Sequence, residues 1–374
     1  MKIKNLSLIH TAVPLKKVIK HASHERAVSE NLIVRVELGD ETTFQTLARH
    51  DWSEIAGRPT RYEDLIERLA AWEMPETAAD SRGRAGNAAH CAVELAILDA
   101  YGRHFNDSIG KAVEYASTVG LECRQTPQRV RYSSAIMAET AISECLSAFK
   151  TWLNRFKQVK IKVGVADQDD RRRLARLRWI LGERFDVRID ANESWQASDV
   201  LSRVGPLRPY RISALEQPVP HEEVDSLAEL RPHLGIPVML DESVCGYPDA
   251  IKAIKDKTAD ILNIRLSKCG GILSSLKMMG LAIRSGLGVQ LGCHPGETAI
   301  LSAAGRHVAS RVKGIRFVEG SYDRYVLAHN LSQADITFGY GGWAPPLEGP
   351  GLGIHVDPSS LERMTLKTHE ISYE

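Results

Sequence analysis

Four short segments hold residues whose types and spacing fit acid–base work around a cation. They are Lys160-Ile161-Lys162, Asp190-Ala191-Asn192, Glu216-Gln217-Pro218 and Asp241-Glu242-Ser243. Each lies at the end of an apolar run with β character. Asp190 and Glu216 are 26 residues apart, Glu216 and Asp241 25, and a further 27 residues reach Lys268. Each step is about one strand–helix unit with its loops, so three carboxylates share one place in three successive repeats. Donor sets made only of oxygen, completed by water and substrate, suit Mg²⁺ or Mn²⁺. Side chains two apart on a strand share a face, so Lys160 and Lys162 point together, and in a barrel that face can be the interior. Two ammonium groups held close depress each other's pKa. A lysine so tuned serves as a general base near neutral pH. A lone pair of lysines at this spacing is more often solvated, and three acids can be unrelated salt bridges. The solvated reading would leave Val159, Ile161 and Val163 alone on the interior face, and unrelated acids would not keep a one-unit spacing.

These side chains need a scaffold that repeats. From about residue 131 strand and helix alternate. The expected strands are Tyr132–Ile136, Val159–Val163, Val187–Asp190, Ile212–Glu216, Val238–Asp241, Ile261–Ile264, Gly288–Leu291 and Ile315–Val318. Amphipathic segments such as 169–181 and 272–285 fall between them. Regular alternation implies a parallel sheet. Eight strands with polar residues gathered at their C-terminal ends favour a closed (β/α) barrel, whose catalytic groups lie on that face. The N-terminal part reads as α+β: strands at 3–11 and 32–38, then helical periodicity over 61–72 and 88–103. The expected organisation is an α+β capping domain over 1–125, a catalytic barrel over 126–345, and a segment over 346–374 that returns to the cap.

Composition is that of a globular enzyme, with 43% hydrophobic and 25% charged residues in 374. The 48 basic and 47 acidic residues leave a formal charge of +1, which gives no reason to invoke nucleic acid or an anionic membrane. No apolar run approaches the length of a membrane span. No secretory leader is evident at Met1, and the six cysteines form no CxxC pair. The expectation is a cytoplasmic protein with reduced thiols. No Gly-rich dinucleotide fingerprint follows the first barrel strand.

On these motifs the chain resembles the enolase superfamily, in its muconate-lactonizing subgroup, over its whole length. The resemblance implies a modified TIM barrel with an α+β cap, and Mg²⁺-assisted removal of the proton α to a carboxylate. It implies Lys162 as the base on one face, Lys160 as its electrostatic partner and Lys268 as the acid/base opposite. Asp190, Glu216 and Asp241 become the metal ligands. The substrate is a small carboxylate, and a homo-oligomer is expected. The implied reaction is an isomerisation, either cycloisomerisation or racemisation/epimerisation of dipeptides or N-acylamino acids. A lyase of the o-succinylbenzoate synthase type is the alternative, and a non-catalytic metal- or metabolite-binding barrel is a third reading. Expected substrate contacts are Asn192, His294, Glu297, Ser321, Asp323 and His24, with specificity loops near 14–26 and 40–52. His21 and Arg49 lie in the same loops. Three departures from the subgroup's pattern bear on specificity. The seventh barrel strand ends with His294, where a histidine is unusual. The eighth has Ser321 where dipeptide epimerases carry the first acid of an Asp-x-Asp, leaving only Asp323. The segment 40–52 lacks the usual Gly-x-Gly-Glu run.

Overall fold

The computed structural model describes residues 2–20, 25–39, 51–72, 86–137 and 139–372. The chain opens with two long strands, β1 (Lys2–Lys20) and β2 (Glu25–Gly39). Four helices follow: α1 (Trp52–Ala56), α2 (Tyr62–Ala71), α3 (Asn87–Phe105) and α4 (Gly110–Glu114). A two-residue strand, β3 (Val130–Arg131), leads into the alternating part. This runs β4 (Ser134–Ile136), α5 (Ala141–Leu153), β5 (Gln158–Lys162), α6 (Asp170–Leu181), β6 (Asp186–Asp190), α7 (Val200–Val204), β7 (Ile212–Glu216) and α8 (Leu227–Leu234). It continues β8 (Val238–Leu240), α9 (Tyr247–Lys255), β9 (Ile261–Ile264), α10 (Ile272–Arg284), β10 (Gly288–Leu291), α11 (Ala299–Arg311) and β11 (Ile315–Val318). The end of the chain holds α12 (Asp323–Val326), β12 (Trp343–Ala344), α13 (Pro358–Met364) and β13 (Thr365–Ser372).

The strands β4 to β11 form one parallel sheet in sequential order. It curls until its two ends meet, where the Ser133 N–H donates to the Val318 carbonyl at 2.8 Å. The fold is a modified TIM barrel, and expected and observed strand ends agree within about two residues. A second sheet, in the order β13-β1-β2, is antiparallel and caps it. The segment 14–26, expected as a loop, is strand over its described part: β1 continues to Lys20 and pairs Ile19 with Arg26 beyond a register shift after Pro14. His21, His24, Arg49 and the segment 40–50 lie outside the described residues.

Alternation along the strands decides what faces the interior. Val159 and Ile161 are buried among the core hydrophobics, and Lys160 and Lys162 take the opposite face. Inside the ring Ala214, Met239, Ile261 and Phe317 make a small apolar floor. Arg188 lies over it, its guanidinium 4.2 Å from the centre of the Phe317 ring. Above this layer the interior is polar. The α3 helix, built largely of small residues, buries Val93, Leu95, Ile97 and Leu98. Two of the six cysteines, Cys91 and Cys269, are buried and the other four are intermediate; all six are free thiols. Among the described residues no helix is long and apolar enough to cross a membrane.

Candidate active site

The parallel register brings the strand ends to one level. Lys162 pairs with Asp190 across β5 and β6, and Asp190 with Glu216 across β6 and β7. Asp190, Glu216 and Asp241 are all fully buried. Each is turned towards basic or amide partners. Asp190 Oδ2 accepts from Lys162 Nζ at 2.7 Å, and Lys160 Nζ lies 3.4 Å away. Glu216 Oε1 accepts from Asn263 Nδ2 at 2.9 Å and Lys160 Nζ at 3.3 Å. Asp241 is paired with Arg265 and with Lys268, whose Nζ is 2.5 Å from both its Oδ1 and its carbonyl oxygen. Held apart in this way, no three acids, histidines or cysteines among the described residues converge as a cation cage. Glu216 Oε2, however, is buried with no hydrogen-bond partner.

Lys162 and Lys268 stand on opposite sides of the ring. Lys162 ends β5 and Lys268 follows β9, four places on in a ring of eight. The carboxylates on β6 and β7 and just beyond β8 occupy the arc between them. Burial lowers the Lys268 pKa, and Arg265 beside it adds to that.

Lys160 behaves otherwise than the sequence suggested. Two neighbouring ammonium groups were expected to lower each other's pKa. Burial does oppose its charge, but Glu216, Glu319 and Asp190 outweigh it and hold the Lys160 pKa above the ordinary lysine value. Lys160 is a fixed cation at the centre of three acids, suited to hold them in place rather than to move a proton.

Several residues of this network escaped the sequence reading. Glu319 accepts from Lys160 Nζ at 2.8 Å and from Arg188 Nη2 at 2.7 Å. These two cations overcome its burial and hold its pKa below the usual carboxyl value. The signal was present: Glu319 ends the eighth barrel strand, and Arg188 is two before Asp190 on the same face. Asn263 reaches Glu216 because the chain beside it is Gly292, where a Cβ would lie 2.1 Å from Asn263 Oδ1. Gln217, at φ 33°, is fully buried. Its amide oxygen accepts from the Asp241 N–H at 3.0 Å, and its nitrogen donates to Ser243 Oγ at 2.8 Å, which fixes the Asp241 turn. Asn192 meets the Lys162 ammonium through its oxygen and donates to Glu242 Oε1 at 3.0 Å. Burial raises the Glu242 pKa to about 7.

A cavity of about 660 Å³ opens beside Lys268, between β2, α3 and the loops after β9 and β10, a size that suits a small organic ligand. Ser267, His294 and Glu297 share its wall with Lys268, and Cys91, Leu95 and Ile33 line its apolar side. His294 Nδ1 lies 3.0 Å from Ser267 Oγ, and its backbone N–H donates to Glu297 Oε1 at 2.7 Å. Burial lowers the His294 pKa. Ser321 and Asp323 do not line this cavity. Gly320 at φ 120° and Ser321 at φ 54° turn the chain away. Ser321 Oγ accepts from Arg306 and donates to the Ile336 carbonyl. Asp323 is 1% exposed and accepts from Ser302 Oγ at 2.9 Å.

Comparison with known proteins shows the family. The model of the Enolase C-terminal domain-like family matches residues 144–360. A hydrophobic dipeptide epimerase from Enterococcus faecalis is 32% identical over 223 residues, 59% of this chain and 60% of that protein. Muconate cycloisomerase 1 from Rhodococcus opacus is 30% identical over 281 residues, 74% of this chain and 72% of that one. In fold, the N-succinyl Arg/Lys racemase of Bacillus cereus superposes with a TM-score of 0.80 at 21% identity, covering 99% of this chain and 100% of the other. The dipeptide epimerase of Cytophaga hutchinsonii, solved with Mg and D-Ala-L-Val, gives 0.76 at 23% identity, with both chains fully covered. With this family match over more than half of its length, and with such relatives, the chain belongs to the enolase superfamily, in its muconate-lactonizing subgroup.

Proposed function

We propose that this protein is a metal-dependent isomerase that removes the proton α to a carboxylate. The observation that carries the reading is the placement of Lys162 and Lys268 half a ring apart, with three buried carboxylates on the arc between. Two opposed lysines allow a proton to leave from one face of a planar carbon and return to the other. Lys162 is the base on one face and Lys268 the acid/base on the other. Lys160 holds Asp190, Glu216 and Glu319 in register, and Asn192 orients the Lys162 side.

Asp190, Glu216 and Asp241 fit Mg²⁺ or Mn²⁺: they are buried, offer oxygen only, and leave Glu216 Oε2 without a partner. Once bound there, the ion would polarise the substrate carboxylate and make its α-proton more acidic.

The cavity beside Lys268 supports a substrate with an apolar or acylated substituent. The burial of Asp323 behind α11 favours a carboxylate without a free α-ammonium, an N-acylamino acid or a diacid, over an unblocked dipeptide. Epimerases, racemases and cycloisomerases among the relatives support the isomerase class. The test is proton exchange in deuterated solvent with Mg²⁺, across N-acylamino acids, diacids and dipeptides, followed by chiral analysis of product. Deuterium at the α-carbon with inversion or ring formation is expected. Exchange in none of the three classes would sink the proposal, and formation of an alkene would replace it with a lyase.

A further inference from the structure

The outer face of the α5 helix is largely apolar, with Lys150 as its exposed charge. Its buried positions are Glu144, Ala148 and Thr151, with Glu144 tied to Arg173 and Arg176 of α6. Its exposed positions include Ile142, Leu146, Phe149, Trp152 and Leu153, and on α6 Trp179 is also exposed. These six side chains are between 44% and 87% exposed. Three of the six are aromatic, each with roughly 150–250 Å² to bury, and three are aliphatic and somewhat smaller; at their observed exposures the set offers on the order of 700 Å² of apolar surface. That exceeds the ~300–600 Å² patch of an ordinary monomer and approaches the ~800 Å² that one partner gives to a standard interface.

We propose that this face is an interface with a second copy of the same chain, two α5 helices packing antiparallel about a two-fold axis. The spacing 142–146–149–153 is a 4-3-4 step, the apolar seam of a helix–helix contact. The seam reads identically in both directions. An antiparallel copy therefore sets Ile142 against Leu153 and Leu146 against Phe149, as a two-fold interface requires. Charge supports the same direction. Exposed Glu139 precedes the helix and exposed Arg155 follows it. An antiparallel pair brings each acid beside the other copy's arginine, whereas a parallel pair sets like on like. Trp152 stacks on Phe149 with ring centres 5.9 Å apart, a flat aromatic surface suited to burial at such a contact.

Analytical ultracentrifugation of the full chain at tens of micromolar tests this. A dimer, or an oligomer built from dimers, is expected. The Leu146→Glu/Phe149→Glu double variant should weaken association by roughly a hundredfold or more, with an unchanged far-ultraviolet dichroism spectrum. Glu139→Arg should weaken it less, and adding Arg155→Glu should restore it; this pair leaves the apolar seam intact and so stands even where the double variant misfolds. A monomeric wild type, an oligomer indifferent to the double variant, or a charge pair that fails to restore association would overturn the proposal. Binding of a monomeric wild type to anionic phospholipid vesicles through this face would overturn it as well.

Discussion

The barrel mouth has two unlike halves. From β5 round to β9 it carries charged side chains at strand ends, and each acid there meets at least two basic or amide partners. From β10 round to β4 the strand ends contribute Glu319 to the same network, but the residues beyond them turn outward or into the cavity wall. His294 meets Ser267, Ser321 meets Arg306, and Asp323 meets Ser302. The first half is built on hydrogen-bonded register, which brings the strand-end side chains to one level. The second is built on loops, whose course depends on what packs beneath them. In the proposed function, reaction type rests on the first half, and substrate choice on the second together with the cap.

The largest expected effect lies in the first half. Lys162→Ala should lower α-proton exchange by ~10²–10⁴-fold, the usual cost of losing a positioned general base. Lys268→Ala should stop inversion while sparing exchange from one enantiomer. Isotope exchange followed by chiral chromatography measures both, and unchanged turnover in the two variants would erase the contrast between the halves. Next comes Glu319→Ala. It leaves Arg188 buried without its carboxylate and removes one of three from Lys160, and breaking a buried pair costs about 3–5 kcal/mol. Chemical denaturation should show that loss; a change near zero would mean that Glu319 belongs to the loosely tied half after all.

Metal binding sharpens the comparison without relying on turnover. Mg²⁺ at about 100 times its Kd should add ~2.7 kcal/mol of stability, read as a rise in Tm. Glu216→Gln should abolish the rise, and Asp323→Asn should leave it intact. A separate effect concerns Glu94, outside both halves, whose carboxylate accepts from the Ile272 N–H at the start of α10. Burial raises its pKa from 4.5 to about 8. Its stabilising contribution is therefore fully present below about pH 4.5 and is lost as pH rises through about 8. Glu94→Gln keeps an accepting oxygen and should flatten that part of the stability–pH curve; an unaltered curve would reject the assignment. The smallest change is expected from Asp323→Asn, with kcat and KM for N-acylated substrates staying within about twofold, since the side chain does not line the cavity. A selective rise in KM for dipeptides would return Asp323 to the substrate.

Most of the barrel was legible because two periods run through it together. Alternation within strands separated Val159 and Ile161 from Lys160 and Lys162, and the recurring strand–helix unit put Asp190, Glu216 and Asp241 on one level. Longer-range facts were not legible. The Lys160 pKa direction depends on Glu216, Glu319 and Asp190 together, 56, 159 and 30 residues away in the chain, so a rule about adjacent lysines gave the wrong sign. The turn at Gly320 and Ser321 depends on Arg306 and the Ile336 carbonyl, and no local pattern announces either. The long β1 was read short because Pro14 and the basic residues after it resemble a loop, yet pairing with β2 resumes beyond them.

The closure of the ring has one further consequence. At the seam between β4 and β11, the backbone bond from Ser133 to Val318 is joined by Tyr322 Oη donating to the Ser133 carbonyl at 2.7 Å. Lys160 from β5 and Arg188 from β6 then reach Glu319 across the mouth. The side chains that shape the electrostatics of the mouth thus also act as its clasp. Mutational drift in this network is constrained twice over, once by chemistry and once by the need to keep the cylinder shut. New specificities have freer ground in the cap and in the loops after β10 and β11, where a changed side chain need not loosen the clasp.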